Sequence, residues 1–373
     1  MNRAIGFASL LLATLSKAQM ITVGKYPLGL KFSENGKCLA ISCTDHIYVR
    51  NIIRSRTYRF PSGDLCDISP GGTRVAIRDP QKEKLTIWDV ARTKPIRVWQ
   101  YATADATFSP DGREVLFLSE NQKQPLEKMG NLKLVRLDIR TGNLRIYSHW
   151  SQTLSKFMAN WFKEQRTAVT PEDVRYAAVY QPMRWRKGDV IQTAVGADSP
   201  HAITFVAFTM DLHDQKPVRI LPGFGLYYLW NGDYLWKDGS VGSAGNPPME
   251  WFAVWHNGRS HKLLDEPDFV TEPAPSGDAG AYPGVCTSST PWVAFYGIRN
   301  IAQQVDEPYT WRQLRRQRLI IELVNVKTKR KVVLVKRHYN RMFMAAALSP
   351  DAKWVAYTSD LGGNKIELQK VRL

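Results

Sequence analysis

Apolar and polar residues alternate in short runs along most of this chain, and each run ends in residues that favour turns. The clearest case is Phe108 to Glu120, FSPDGREVLFLSE, where an apolar run meets an alternating one through Ser-Pro-Asp-Gly. Pro110 presets φ and Gly112 supplies a positive φ, so the stretch predicts a β-hairpin. A first unit, LGLKFSENGKCLAISC, uses Ser33-Glu34-Asn35-Gly36 as its turn and continues through HIYVRNI and RTYRF. A second, LCDISPGGTRVAIRD, follows after 36 residues, and the Phe108 unit after 40 more. That period suits a four-stranded propeller blade, which buries its two faces only against neighbouring blades.

The remaining chain follows the same plan. Unit four has TAVTPEDVRYAAVYQ from Thr167, a long insertion, then AITFVAFTMDL and KPVRIL. Unit five has GLYYLW, a tight turn at Asn231-Gly232, DYLWKDG, MEWFAVWHNG and SHKLL. Unit six has YPGVCTSSTPWVAFYGI and RLIIELVNVKTKRKVVLV. The last, FMAAALSPDAKWVAYTSD with KIELQKVRL, is one strand short, and Met20 to Gly24, MITVG, is its obvious donor. Donation would close the ring and remove two sheet edges. The fold expected is all-β, a seven-bladed β-propeller of four-stranded antiparallel blades closed by an N-terminal strand. Six or eight blades also fit the weaker anchors of units four to six.

FSPDG before a β-rich run, LTIWDV with its Trp88-Asp89 pair, and LDIRTGNL at 137–144 resemble the WD-repeat-like propellers of exported bacterial proteins, including the propeller part of TolB-type proteins. The resemblance covers units one to three and the last unit. It implies the fold and not a function, because propellers host both enzymes and scaffolds.

The first residues place Arg3 before an apolar run from Ala4 to Leu15 and then Ser16-Lys17-Ala18, the layout of a secretory signal peptide. Residues 1–18 are therefore expected to be removed after Ala18, leaving 19–373 as a single propeller domain in the periplasm or outside the cell. No stretch has the length of a transmembrane helix. Export makes Cys38, Cys43, Cys66 and Cys286 oxidisable, but Cys38 and Cys43 lie an odd number apart on one strand and point to opposite faces, so buried thiols are expected.

Composition adds a charge surplus. The 51 Lys plus Arg exceed the 34 Asp plus Glu, a net +17 that falls to +15 when Arg3 and Lys17 are removed. For an exported protein this points to a protein partner, acidic glycans, wall polymers or lipid head groups rather than nucleic acid. The reading also expects a monomer.

Insertions at 119–131, 181–201, 237–248 and 298–318 are expected between second and third strands, and so on one face, where binding sites are usually built. Two of them interleave rings and guanidinium groups suited to carboxylates or phosphates: Arg184, Trp185 and Arg186, and Trp311, Arg312, Arg315 and Arg316. The aromatic cluster of unit five, from Phe224 to Trp255, alternates at strand spacing and is expected to fill the wedge between blades.

Catalytic motifs are absent: there is no G-x-S-x-G, H-E-x-x-H, phosphate loop or calcium loop, and no catalytic residue is assigned. His213 between Asp211 and Asp214 supplies too few ligands for a metal, so neither metal nor cofactor is expected. The expected function is non-enzymatic binding or scaffolding of a protein or anionic glycan. The alternative is a propeller enzyme acting on polysaccharide or peptide, with acids gathered around the central channel.

Overall fold

The computed structural model describes residues 18–100, 102–119, 133–164, 178–179, 183–199, 202–222, 227–237, 251–256, 259–265, 269, 283–299, 316–339, 344–359 and 364–373. They form seven antiparallel sheets in chain order, the blades of a β-propeller. Blade one contains Pro27–Phe32, Cys38–Cys43, Ile47–Asn51 and Arg56–Phe60, and each strand pairs with the next. In blade seven Gln19–Thr22 pairs with Lys365–Lys370, Gln19 opposite Leu368 and Ile21 opposite Ile366. The N-terminal strand thus closes the ring, as expected, and it is anchored by Ile21 and Val23 packing beside Leu39, Ile41 and Leu368.

The inner hairpins of blades one, two, three and seven are each held by a buried serine. Ser109 Oγ donates to Asp111 and accepts from the Glu114 N–H, while Gly112 adopts a φ of 70°. Ser33 with Asn35 and Ser349 with Asp351 repeat this arrangement, and Ser69 accepts from the Arg74 N–H. The turns also bond to one another across blades: the Asn35 N–H donates to Pro70 O, and the Ser289 N–H to Pro350 O.

The outer hairpins, between third and fourth strands, share another device. Ser55, Thr93, Gln215 and Lys329 sit at positive φ where blade three has Gly142. A side chain in that region is strained. Ser55→Gly is therefore expected to stabilise the fold by about 0.5–1 kcal/mol and Gly142→Ala to destabilise it by a similar amount. Urea titration of both variants checks this, and a destabilised Ser55→Gly would contradict it.

One element stands outside the repeat, and one expectation needs correction. Trp150–Glu164 is an α-helix between blades three and four of an otherwise all-β fold. Its buried stripe, Trp150, Leu154 and Met158, packs with Leu116, Tyr147 and Phe208 from blades three and four, and Phe157 lies 5.5 Å from the Phe208 ring. The spacing of four, seven and eight residues from Trp150 is the helical signal in the sequence. The segment 181–201 is not a loop. It holds the inner strand Arg184–Arg186 and nearly all of the second strand, Val190–Ser199, with Ala178–Val179 pairing farther along that strand.

The unit-five aromatics that are described behave largely as wedge filling: Phe252 is fully buried against Phe295, and Tyr228 packs on Tyr234. No disulfide joins the cysteines, and Cys38 and Cys43 enter different core clusters.

Candidate functional site at the mouth of the central channel

In an antiparallel blade the turns between strands one and two, and between three and four, emerge on one face. The loops between strands two and three emerge on the other. The inner strands of all seven blades enclose a cavity of about 480 Å³ whose walls include Glu34, Pro70, Ser289 and Pro350 from the inner turns, so it reaches the turn-bearing face. Phe32, Phe108, Met183, Val285 and Leu348 make much of its wall apolar.

Its polar groups come from two sides. On the first, Lys31, Asp67 and Thr107 stand two residues before the turn serines of blades one, two and three. Lys31 Nζ lies 2.7 Å from Asp67 Oδ1. The same carboxylate accepts from the Ile68 N–H at 2.8 Å, the Phe108 N–H at 2.8 Å and Thr107 Oγ1 at 3.3 Å, so three blades are tied through one buried acid. Glu34 lies beside this group, in the position that proline fills in the turns at 70, 110 and 350. Burial raises its pKa, with Asp67 adding to the effect and Arg184, Lys31 and Lys187 opposing it. The departure from proline is the signal in the sequence that marks Glu34, and it is visible only once the turns are aligned.

On the other side are Arg184 and Arg186, two apart on one short strand and therefore on one face of it. Arg184 lies over the Tyr228 ring, 5.6 Å from its centre, and donates to Tyr228 O at 3.4 Å. Burial lowers its pKa, and Arg186 adds to that effect. Arg186 reaches toward the blade-five turn at Gly232. Neither guanidinium has an ion pair among the described residues, which contrasts with Arg136, held by Glu114 at 2.6 Å and Asp189 at 2.8 Å.

The expected binding residues thus separate. Trp185 is buried in the core between blades three and four with Arg136 stacked on it, so it chiefly supports the strand, although it also borders the cavity. Arg184 and Arg186 run toward the turn-bearing face. Arg316 is exposed just before the third strand of blade six, Arg318–Asn325, at the opposite face. Trp311, Arg312 and Arg315 lie outside the described residues, as do most of 119–131, 237–248 and 298–318.

Among the described residues no three His, Cys, Asp or Glu side chains are grouped to hold a metal, and His213 faces Asp189 at 3.5 Å. Burial pushes Tyr227 and Cys286 up to about 12, so both stay protonated at neutral pH and neither is a ready nucleophile.

No family model matches the chain, and no curated protein is detectably similar to it in sequence. Solved structures are similar. The β-propeller domain of Cps50 (Swd1) from Myceliophteria thermophila superposes with a TM-score of 0.57 at 14% identity, over 96% of this chain and 99% of that one. The RRP9 WD40 repeats give 0.55 at 10% identity over 95% and 100%. An oligogalacturonate lyase in complex with manganese gives 0.55 at 12% identity over 95% and 91%. Likeness at these identities shows the WD-repeat-like propeller fold alone, and the set mixes WD40 domains with a lyase.

Proposed function

We propose that this protein is an exported, non-catalytic binding propeller whose acidic ligand enters the central channel from the turn-bearing face. The observation that carries the reading is the pair Arg184 and Arg186: Arg184 lines the cavity, Arg186 stands two residues nearer the turn on the same strand, and neither guanidinium has a carboxylate partner among the described residues. Lys31 is occupied by Asp67, so Glu34 is the acid left to oppose the two arginines and Lys187. An incoming carboxylate completes that balance and accepts the forked donors that arginine offers. The ligand is the acidic end of a glycan or peptide chain, with its apolar parts against Met183, Val285 and Leu348. Export is supported by the first strand, which begins at Gln19, directly after the proposed cleavage point.

Arg184→Gln with Arg186→Gln is expected to weaken binding of a tri-uronide or hexaglutamate by about tenfold or more and to flatten its salt dependence. Calorimetric titration at low and high salt measures both, and unchanged affinity would overturn the reading. Glu34 motivates a second reading, a propeller enzyme using this raised-pKa carboxyl as a general acid on polysaccharide or peptide. Turnover of either ligand that disappears in Glu34→Gln would select it.

A further inference from the structure

Beyond the channel mouth, and on different residues, we infer that the turn-bearing face docks on an anionic bilayer through a ring of outer hairpin tips. The tips lie between the third and fourth strands and carry Arg54, Arg92, Arg140 and Lys216 in blades one to four, with Lys327, Lys329 and Arg330 in blade six. All are exposed. Asp214 is the one acid in these turns, and it accepts from the Lys216 N–H at 2.9 Å.

The architecture of the tips explains their charge. In these five blades the third strand ends in an Asn or Asp whose side chain is spent on its own turn. Asn51 accepts from the Arg54 N–H, Asp89 from Arg92 and Asp138 from Thr141. Asp211 accepts from the His213 N–H and Asn325 from that of Thr328. The anionic groups therefore turn inward while the basic side chains project outward. Every one of these turns also holds a residue at positive φ, which sets the conformation of the tip.

Topology places all five tips at one end of the ring. Basic charge on the outer strands themselves, such as Arg59, Arg97 and Lys336, guards exposed sheet edges. That account does not reach the tips, which are turns and not edges. The described connections of the opposite face, including the helix between blades three and four, carry Lys25, Lys82, Lys156, Lys163 and Arg316 against Asp45, Glu83 and Glu164, a smaller surplus than that of the tips. A flat surface meets all five tips at once, whereas a single linear polymer crosses a few. This geometry favours a membrane, and exposed Ile53 in the blade-one tip suits an interfacial contact. Among the described residues no helix is long and apolar enough to cross a membrane.

Vesicle sedimentation of the purified full chain tests the inference. Phosphatidylglycerol-containing vesicles are expected to bind it about tenfold or more tighter than pure phosphatidylcholine, with the preference fading as salt is raised. The quadruple variant Arg54→Gln, Arg92→Gln, Arg140→Gln and Lys329→Gln should lose about tenfold or more of that binding, because each basic residue near the surface contributes separately. Its charge-matched control on the other face, Lys25→Gln, Lys82→Gln, Lys84→Gln and Lys133→Gln, should stay within about twofold, as should Arg184→Gln with Arg186→Gln. Circular dichroism melting confirms that the variants are folded. Equal loss from both quadruple variants, loss only from the channel-mouth pair, or tighter binding to a soluble acidic polysaccharide at equal charge would each overturn it.

Discussion

Asp67→Ala is expected to destabilise the propeller by about 2–4 kcal/mol, because the carboxylate is buried and hydrogen-bonded although its partner Lys31 is half-exposed. The substitution strips the acceptor from two backbone N–H groups, Ile68 and Phe108, and from Thr107, and it leaves Lys31 without its counter-ion. Leaving a buried donor unsatisfied costs about 1–3 kcal/mol, so the backbone donors alone account for a large share. The effect has a location as well as a size. Asp67 joins the inner strands of blades one, two and three, and its loss loosens the wall of the channel opposite Arg184. Thr107→Val removes the longest of these bonds and should cost about 0.5–1.5 kcal/mol. Urea unfolding of the two variants makes the comparison; a loss below about 1 kcal/mol for Asp67→Ala would show that the neighbouring strands do not depend on this carboxylate.

Acid should weaken the ring closure through Glu367. This carboxylate is buried in the third strand of blade seven, where it accepts from Tyr357 at 3.0 Å and Ser359 at 2.7 Å and pairs with Arg337 of blade six. Burial pushes its pKa up, but the bonds from Arg337, Ser359 and Tyr357 together outweigh burial and hold it below the ordinary 4.5. A depressed folded-state pKa means that the unfolded chain takes up the proton first as pH falls. The contribution of Glu367 is therefore fully present above 4.5 and is lost as pH drops through the lower folded value. Glu367→Gln is expected to cost about 1–3 kcal/mol at neutral pH, less than a fully buried pair because Arg337 is partly exposed. The gap between wild type and variant should close at pH values below the folded pKa. Thermal melts across that range measure it, and a gap that persists unchanged into acid would rule out the carboxylate as its source.

The repeat was legible because its signals are local. Ser-Pro-Asp-Gly turns and alternating strands need only neighbouring residues, so the blade interval, the seven units and the strand borrowed from the N-terminus could all be read from the chain. Blade four was not, because its inner strand is broken into 178–179 and 184–186, and its hairpin turn, Lys187-Gly188-Asp189, lacks the serine that marks those of blades one, two, three and seven. The basic residues at 184 and 186 stand out in the sequence, and the structure sets them two apart on one short strand. Their assignment to a loop put them on the wrong face, and Trp185 was grouped with them although strand alternation turns it into the core.

Hydrophobic alternation and turn chemistry act between residues close in the chain, and they were enough to specify a closed ring of blades and the charge surplus that it must display. Contact between residues far apart was decided by closure of that ring. Closure brought Glu34 toward Arg184 across a shared cavity, tied Asp67 to three blades, and gathered five separate basic tips on one face. No linear pattern encodes such proximity, because the electrostatic energy depends on distances that exist only when all seven inner strands surround one axis.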